Sequence, residues 1–249
     1  MTDGPADDTE EFRSTNRRTA AAMAADVELQ RKALEVVVDS DRYGYSYQWT
    51  WLGVPIIQMP TDVVALQEVI WATRPQLIIE TGVARGGSVI LSASLLELLG
   101  EGRVVAIDID IRAHNRRAIE EHPLSHRVHL IEGSATAPDI VSEVRGLAAG
   151  VERTMVVLDS NHTHEHVLAE LEAYGDLVTV GQYLVVADTV VEHIPPQEHR
   201  PRPWGPGDNP DTAMRAYLAR HPEFEADAHT NQKLLMTSSP GGYLRRIRD

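Results

Sequence analysis

Short apolar runs alternate with longer amphipathic stretches through the middle of the chain. Apolar runs of five to seven residues that end at turn residues are typical of buried strands, and the stretches between them are typical of helices. The predicted strands span residues 76–80, 103–108, 127–132, 153–159 and 182–188. The predicted helices between them span residues 88–99, 112–121, 138–148 and 163–174. This alternation predicts an α/β fold in which helices cover both faces of a mostly parallel sheet.

The C-terminal part of the chain follows a different pattern. Segments 233–238 and 242–247 flank the turn sequence SPGG, and this arrangement predicts an antiparallel hairpin. A helix is predicted before them at 210–221. The complete pattern predicts a doubly wound, mostly parallel seven-stranded sheet with a C-terminal antiparallel hairpin. That hairpin separates the Rossmann-like fold of class I methyltransferases from ordinary nucleotide-binding folds.

Residues 1–42 are predicted to form an N-terminal arm that is partly disordered or helical. Residues 1 to about 25 are polar and rich in alanine, and five acidic residues lie between Asp3 and Glu11. Such a segment buries little apolar surface, so a disordered or loose arm is expected there. A helical pattern begins at Asp26 and continues to Val38.

An aromatic segment at 43–60 opens the predicted methyltransferase domain, which spans residues 43–249. Its sequence YGYSYQWTWLGVPIIQMP is not periodic enough for a helix, so a lid or an extended segment packed on the core is expected. The same segment is a candidate contact surface in a homo-oligomer. Thr61 is expected to cap a helix over residues 62–73.

Composition and charge exclude several classes of protein. The chain has 249 residues, 43% of them hydrophobic, which suits one domain with an appended arm. The formal net charge of −14 disfavours a nucleic-acid partner, because such a charge repels a phosphate backbone. The absence of cysteine excludes disulfides, cysteine-ligated metal sites and thiol catalysis. The acidic start of the chain and the lack of a long apolar stretch favour a cytoplasmic protein without a membrane partner.

The turn ETGVARGGS (80–88) joins the first predicted strand to the next helix. Its acid and two glycines, at Glu80, Gly82 and Gly86, match neither the G-x-G-x-x-G dinucleotide fingerprint nor a P-loop. An acid at the strand tip can hold an amino group, and a glycine lets the backbone approach a ligand closely. These features indicate a site for S-adenosylmethionine at the carboxyl end of the sheet. The cofactor-binding residues predicted in this turn are Glu80, Gly82, Arg85, Gly86 and Ser88.

The next strand ends supply further candidates for cofactor binding. Asp108 ends the second strand, where a carboxylate can accept hydrogen bonds from both ribose hydroxyls, and Asp110 is the weaker candidate. Gly133 and Ser134 follow the third strand and are placed to border the adenine. Asp159, at the end of the fourth strand, is assigned to the cofactor site and also to a metal site.

Two carboxylates are predicted to meet where the fourth and fifth strands end. Asp159 and Asp188 are these strand-end residues, and the two ends are neighbours on the ligand side of such a sheet. Converging carboxylates suit a hard divalent cation such as Mg²⁺, which lowers the pKa of a bound hydroxyl. His162, three residues after Asp159, is the candidate general base that removes the proton from this hydroxyl.

Three histidines in five positions raise the alternative of a histidine metal site. His162 and His166 lie four residues apart and can share a helical face, as in a non-haem iron site of two histidines and one carboxylate. No further histidine is predicted at a second strand tip, which disfavours this alternative. His164 and His166 are interpreted as polar residues on an exposed first helical turn.

A loop rich in proline and glycine, residues 194–210, is expected to cover the acceptor. Trp204 lies within this loop. Its indole is a candidate for stacking on a sugar or an aglycone, and a packing role is the equal alternative.

Four segments together resemble the cephalosporin hydroxylase/rhamnosyl O-methyltransferase family, from about Tyr43 to the C-terminus. They are ETGVARGGS, LDSNHTH, the strand end VVADT and the tail NQKLLMTSSPGGYLRR. The resemblance implies a class I fold and a Mg²⁺-assisted, S-adenosylmethionine-dependent O-methyltransferase. The implied acceptor is a small molecule, a sugar or a glycosylated natural product, as in the tailoring of antibiotics. By position, Asp159 and Asp188 match the metal ligands of the family, and His162 matches its general base.

One residue departs from the family pattern. Members commonly carry Glu-Asp at the fifth strand end, where this chain has Ala187 and Asp188. The metal is therefore expected to have fewer protein ligands, or to bind weakly or not at all. Glu192 and His193 are candidate replacement ligands. Two alternative functions remain open: a non-catalytic accessory protein that binds S-adenosylmethionine, and an iron-dependent hydroxylase.

Overall fold

A seven-stranded sheet forms the centre of the computed structural model, which describes residues 8–197 and 200–249. The helices are α1 (Thr9–Ala25), α2 (Val27–Asp41), α3 (Pro60–Thr73), α4 (Gly87–Leu99), α5 (Ala113–Glu120), α6 (Pro138–Ala148), α7 (His164–Tyr174), α8 (Pro210–Leu218) and α9 (Ala228–Lys233). The strands are β1 (Trp49–Trp51), β2 (Val54–Ile56), β3 (Leu77–Thr81), β4 (Arg103–Asp108), β5 (Val128–Glu132), β6 (Thr154–Leu158), β7 (Tyr183–Val186), β8 (Phe224–Ala226) and β9 (Tyr243–Arg246). Short 3₁₀ turns lie at Tyr45–Tyr47, Ser125–Arg127, Gly175–Leu177 and Thr189–His193.

The strand order of the sheet reverses beside β3. The order is β5-β4-β3-β6-β7-β9-β8, and β1 and β2 form a separate antiparallel pair. The strands from β3 to β7 run parallel, whereas β9 runs antiparallel to both β7 and β8. This topology confirms the predicted fold class. It also places a crevice at the carboxyl ends of β3 and β6, where ligands bind in open α/β sheets.

Both faces of the sheet are buried, which explains the uninterrupted apolar runs in the sequence. Strands β3 and β6 are buried along their whole length. Alternate side chains of β3 enter opposite cores. Ile78 packs with the cluster that includes α3 and α4, and Leu77 and Ile79 pack with the cluster that includes α7 and α8. The strand ends that carry the candidate site are therefore fixed by a core on each face.

The prediction of the first strand of the C-terminal hairpin is wrong. Residues 233–238 do not form a strand: Lys233 ends α9, and an irregular segment follows. The strand that pairs with β9 on this side is β8, whose three residues are too few to show periodicity. The irregular segment is held by Asp62 of α3, which accepts hydrogen bonds from the N–H of Ser238 at 2.8 Å and from its hydroxyl at 2.9 Å.

The N-terminal arm is more ordered than the loose arm predicted from its composition. Thr9–Ala25 form α1, which lies against α9 although none of its side chains is buried. Asp26 begins α2 by accepting a hydrogen bond from the N–H of Leu29 at 3.0 Å. Residues 1–7 of the predicted arm lie outside the described residues. Neither these helices nor any other within the described ranges is long and apolar enough to cross a membrane.

The aromatic segment 43–60 contains the hairpin of β1 and β2. Trp51 of β1 donates a hydrogen bond from Nε1 to the hydroxyl of Ser94 in α4 at 3.0 Å. The segment thus packs on the core, as expected.

The cap predicted at Thr61 is wrong. Helix α3 begins one residue earlier, at Pro60, whose fixed φ suits the first helical position. The Thr61 hydroxyl instead donates a hydrogen bond to the carbonyl of Met236. It therefore ties α3 to the irregular segment before β9.

Candidate active site

The ends of β6 and β7 bring Asp159 and Asp188 together. Backbone hydrogen bonds continue the parallel pairing past the strand ends: the N–H of Asp159 donates to Thr81 at 2.9 Å, and the N–H of Ala187 donates to Leu158 at 2.9 Å. Asp188 has a φ of 54°, a left-handed conformation that is uncommon outside glycine. The chain turns sharply there, and the carboxylate of Asp188 lies beside that of Asp159.

His162 joins the two carboxylates. Asp159, His162 and Asp188 each offer one oxygen or nitrogen atom, and these atoms lie within 4.8 Å of one another. Nε2 of His162 lies 3.2 Å from Oδ2 of Asp188. Within residues 8–197 and 200–249, this is the one group of three acidic or histidine side chains spaced to share a metal ion.

Negative charge accumulates around Asp159. Burial raises the pKa of Asp159 well above its ordinary value, and the carboxylates of Asp188 and Glu80 raise it further. Glu170 and Asp62 act in the same direction. Two carboxylates with an imidazole in such surroundings suit a hard divalent cation such as Mg²⁺, because the cation offsets the repulsion. The residues present therefore fit the predicted metal.

Among residues 8–197 and 200–249, no neighbour replaces the carboxylate that is missing at Ala187. Ala187 is buried and lines the main cavity. Glu192 accepts a hydrogen bond from the N–H of Gly207 at 2.8 Å and another from Asn209, and these contacts lower its pKa. Among the described residues, neither Glu192 nor His193 belongs to the group around Asp188. The described part of the chain thus offers a metal two carboxylates and one imidazole.

The other two histidines of the stretch make separate contacts. Nδ1 of His164 lies 2.8 Å from the hydroxyl of Thr212, which ties α7 to α8. Nε2 of His166 lies 3.4 Å from Glu170, and a hydrogen bond to Glu170 raises the pKa of His166. Both histidines are half-buried, which corrects the prediction of an exposed first turn. In the part of the chain that is described, no second histidine joins His162, so the two-histidine iron site is not formed.

The candidate base packs against Trp204. The rings of His162 and Trp204 have centroids 4.9 Å apart, with their planes at 82°. The guanidinium of Arg202 lies over the indole, 5.3 Å from its centroid. The predicted covering loop thus contacts His162 directly, and Trp204 packs on this imidazole; its stacking on a sugar or an aglycone stays a prediction.

Gly82 is required by the neighbouring backbone. It has a φ of 91°, and a Cβ added there would lie 2.0 Å from the carbonyl oxygen of Asp159. The predicted contact of Gly82 with a ligand stays a prediction. Gly86 has a φ of 90°, and its added Cβ would lie 2.7 Å from the side chain of Ile119. Both glycines therefore let the turn fit tightly between β6 and α5.

Glu80 is the buried acid of the glycine turn. It is 1% exposed, and its Oε1 accepts a hydrogen bond from the Ser88 hydroxyl at the start of α4. Burial raises the pKa of Glu80 to about 7. The Ser92 hydroxyl lies near the carboxylate, but neither this hydroxyl nor Oε2 of Glu80 has a hydrogen-bond partner among the described residues. A buried carboxylate with an unused oxygen suits a bound amino group.

Glu80→Gln is expected to stabilise the ligand-free protein at pH 8. The pKa of this carboxyl rises from an ordinary value of 4.5 to about 7 on folding, so its protonated form favours the fold. That contribution is complete below pH 4.5 and is lost as the pH rises through 7. The corresponding penalty at pH 8 is about 3 kcal/mol, and glutamine avoids it. Urea unfolding of both proteins at pH 5 and pH 8 measures the effect, and equal differences at the two pH values would contradict it.

Asp108 holds the glycine turn in place. Its Oδ2 accepts hydrogen bonds from the N–H groups of Val83 at 2.8 Å and Ala84 at 3.1 Å. Its Oδ1 accepts one from the N–H of Asp110 at 3.2 Å. Both lone-pair positions of Oδ2 are therefore occupied, and Oδ1 keeps one for a ribose hydroxyl. Asp108, Asp110 and Arg85 line a second cavity of about 350 Å³ beside the turn.

The remaining cofactor candidates lie at the edge of this region. Nη1 of Arg85 lies 3.1 Å from Nε2 of His114. The N–H of Gly133 donates to the carbonyl of Asp108 at 2.8 Å, which places the end of β5 beside the end of β4. Gly133 and Ser134 do not line the second cavity, and their predicted position beside the adenine stays a prediction.

A cavity of about 780 Å³ opens over the carboxylate group. Its lining includes the ends of β6 and β7, the loop around Trp204, the end of α2 and the aromatic segment. Arg200 connects the loop with α2: its Nη1 lies 2.6 Å from Oδ1 of Asp41, and it donates a hydrogen bond to the Tyr47 hydroxyl. The volume is typical of a site for a small molecule.

Three polar residues of the site escaped the sequence-based predictions: Asp62, Ser160 and Glu170. Asp62 lines the main cavity, and burial raises its pKa to about 6. Glu170 and Ser160 share a hydrogen bond of 2.7 Å next to Asp159. One signal was available for Glu170, because it lies at helical spacing on the same face as the apolar Val167. An acidic residue on the apolar face of a predicted helix is expected to have a polar partner in the core.

Comparisons with known proteins agree with this geometry. A protein-family model described as "Rhamnosyl O-methyltransferase/CmcI" matches residues 43–247. A protein of Mycobacterium tuberculosis (strain ATCC 25618 / H37Rv), "Rhamnosyl O-methyltransferase", is 31% identical over 200 residues, covering 79% of this chain and 78% of that protein. A structure described as "CmcI-N160 apo-structure" has a TM-score of 0.57 at 19% identity, covering 82% of this chain and 78% of that one. Another, "cmcI-D160 Mg-SAM", has a TM-score of 0.56 at 18% identity, covering 81% and 78%. At these identities the two structures show the shared fold.

Proposed function

The chain belongs to the rhamnosyl O-methyltransferase/CmcI family, and from this premise we propose that it methylates a hydroxyl of a sugar or a glycosylated small molecule. The predicted class, an S-adenosylmethionine-dependent O-methyltransferase, is confirmed by this membership. The observation that carries the proposal is the group of Asp159, His162 and Asp188 at the base of a cavity of about 780 Å³. An acid–histidine group beside a methyl-donor site suits removal of a proton from a hydroxyl.

We propose that Asp159 and Asp188 hold Mg²⁺. Their oxygens and the negative charge around them favour a hard cation. The description of the structure "cmcI-D160 Mg-SAM", which shares this fold, includes the same metal. This supports Mg²⁺ as the first ion to test. Ala187 leaves the metal with two carboxylate ligands from the strand ends, so we expect water to complete its coordination.

The glycine turn and the neighbouring strand ends are the proposed cofactor site. The unused oxygen of Glu80 suits the amino group of S-adenosylmethionine, and Asp108 suits its ribose. Arg85 and Asp110 line the cavity on the ribose side. The remaining proposed cofactor contacts are Gly82, Gly86, Ser88, Gly133, Ser134 and Asp159. We also propose residues 43–249 as the catalytic domain and residues 1–42 as an arm that adds α2 to the cavity wall.

The residues around the cavity perform three tasks in the proposed reaction. When bound, S-adenosylmethionine supplies an electrophilic methyl group, and the metal supplies positive charge that lowers the pKa of the acceptor hydroxyl. His162 accepts the hydroxyl proton on a ring nitrogen, and Asp188, 3.2 Å away, stabilises the resulting imidazolium. Trp204 fixes the imidazole ring from the side and covers it from water. Much of the rate then comes from the alignment of the acceptor oxygen with the methyl group.

The description of a relative supports a sugar as the proposed acceptor. The Mycobacterium tuberculosis protein is described as a rhamnosyl O-methyltransferase. A rhamnose ring carries adjacent hydroxyls, which suit a metal that binds two neighbouring oxygens. Trp204 and the prolines of the covering loop offer apolar surface to the rest of a glycoside.

Methyl transfer to a panel of glycosides tests this function. The panel contains methyl and 4-nitrophenyl α-L-rhamnosides with the corresponding β-D-glucosides, and mass spectrometry detects products that are heavier by one methyl group. We expect a methylated rhamnoside whose formation stops with EDTA and resumes with Mg²⁺. Binding of S-adenosylhomocysteine without methylation of any glycoside would contradict the sugar acceptor. Absence of S-adenosylhomocysteine binding would contradict methyl transfer itself.

A further inference from the structure

Glu170 is a fully buried acid that none of the roles above explains. It lies on the inner face of α7 between the buried Val167 and Leu171, and it is 0% exposed. Its Oε2 has no hydrogen-bond partner among the described residues. A buried carboxylate with an unpaired oxygen destabilises a fold. Packing alone therefore does not account for an acid at this position.

The other oxygen of Glu170 is held from two sides. The Ser160 hydroxyl donates a hydrogen bond to Oε1 at 2.7 Å, and Nε2 of His166 lies 3.4 Å from the same atom. His166 lies in the preceding turn of the same helix, so its contact with Glu170 stays within α7. Ser160 is the partner outside α7, so Glu170 joins this helix to the segment that precedes it.

Ser160 lies inside the loop that carries the candidate metal site. Residues 159–163 connect β6 to α7 and include Asp159 and His162. The Asp159 end of the loop is fixed by the backbone hydrogen bond to Thr81. The middle of the loop is fixed to α7 through Ser160 and Glu170. A shift of Ser160 therefore moves the peptide group that follows Asp159.

We propose that Ser160 and Glu170 are positioning residues for the metal, acting through Asp159. Their hydrogen bond sets the direction of the Asp159 carboxylate relative to Asp188. Outer contacts of this kind change metal affinity about 10- to 100-fold when they are removed. The inference rests on the proposed function, because it requires Asp159 to hold a metal.

Calorimetric titration of Mg²⁺ into the full-length protein, with S-adenosylhomocysteine present, tests this positioning role. Ser160→Ala removes the hydroxyl, and we expect the affinity for Mg²⁺ to fall at least about 10-fold. Ser160→Thr keeps the hydroxyl and should restore an affinity close to that of the wild type. The affinity for S-adenosylhomocysteine should be the same in all three proteins, which a general loss of structure would not allow. Ser142→Ala, at an exposed position of α6, is the matched control.

A double-mutant cycle separates the hydrogen bond from the charge of Glu170. Ser160→Ala should lower the Mg²⁺ affinity much less in a Glu170→Ala background than in the wild type, because the contact is already absent there. Glu170→Gln keeps an acceptor for Ser160 while it removes the charge, so it should retain most of the coupling. Glu165→Gln makes the same change at an exposed position of α7 and is the control. Additive losses in the cycle would overturn the proposal.

Besides additive losses in the cycle, three results would overturn the proposal, and they are distinguishable. A wild-type protein that binds S-adenosylhomocysteine but no Mg²⁺ removes the metal site, and the positioning role fails with it. A wild-type protein that binds Mg²⁺, with Ser160→Ala unchanged, keeps the metal site and removes only the role of Ser160 and Glu170. Equal losses of Mg²⁺ and S-adenosylhomocysteine affinity in Ser160→Ala would indicate a general structural defect. If Glu170→Ala does not fold, the Ser160 variants alone decide the question.

Discussion

Asp188→Asn is expected to reduce methyl transfer by about 10³-fold or more, because it removes charge stabilisation of several kcal/mol. The variant should fold, since asparagine has the same shape and also tolerates the left-handed conformation at this position, where φ is 54°. The change removes one negative charge from the group that Asp188 forms with Asp159 and His162. The glycine turn is untouched, so the affinity for S-adenosylhomocysteine should stay close to the wild-type value.

Kinetics with a glycoside acceptor that the wild type methylates, together with two calorimetric titrations, measure these effects separately. One titration uses S-adenosylhomocysteine and the other uses Mg²⁺, which should bind Asp188→Asn far more weakly than the wild type. Glu192→Gln is the matched control, because its carboxylate lies four residues further along and contacts Gly207 and Asn209 instead. This control should bind Mg²⁺ like the wild type. Full activity in Asp188→Asn would contradict the assignment of the metal to the two strand-end carboxylates.

The central part of the fold could be predicted because buried strands have a simple pattern. Strands β3 and β6 are buried along their whole length, because both faces of the sheet are covered, and most of their residues are apolar. The same reasoning wrongly predicted a strand at residues 233–238. Leu234 is indeed buried in the core, but its segment fills space there without joining the sheet. The segment donates hydrogen bonds from Thr237 and Ser238 to Asp62, which is remote in the sequence. A local sequence pattern does not predict such a long-range partner.

The candidate site could be predicted where its residues stand at strand ends. Asp159 and Asp188 follow adjacent parallel strands, so the topology alone brings them together. His162 follows Asp159 so closely that it has to lie near the same crevice. Ser160 and Glu170 could not be paired in advance, because their contact depends on how α7 packs on the sheet. The role of Gly82 depends in the same way on the carbonyl of Asp159.

The buried acids of the site oppose the stability of the ligand-free protein. Burial raises the pKa of Asp62 to about 6 and that of Glu80 to about 7. Each ionised acid therefore weakens the fold as the pH rises through these values. A bound cation or amino group reverses this effect, because it favours the ionised form. The same charges that destabilise the ligand-free protein are thus the basis of its affinity for cationic ligands.

His162→Gln is expected to lower the turnover number by about 10²- to 10⁴-fold, the usual contribution of a general base. Glutamine fills a similar space beside Trp204 and donates a hydrogen bond toward Asp188, but it does not accept a proton at neutral pH. The affinity of the variant for S-adenosylhomocysteine should stay near that of the wild type.

The metal affinity of His162→Gln decides between a base and a ligand. Asp159, His162 and Asp188 are close enough for the imidazole to contact the metal itself. If His162 is the base, Mg²⁺ affinity stays close to the wild-type value while turnover collapses. If it is a ligand, Mg²⁺ affinity falls together with turnover. His164→Gln is the matched control, because that imidazole contacts Thr212 instead, and its turnover should match the wild type. Unchanged turnover in His162→Gln would remove this residue from both roles.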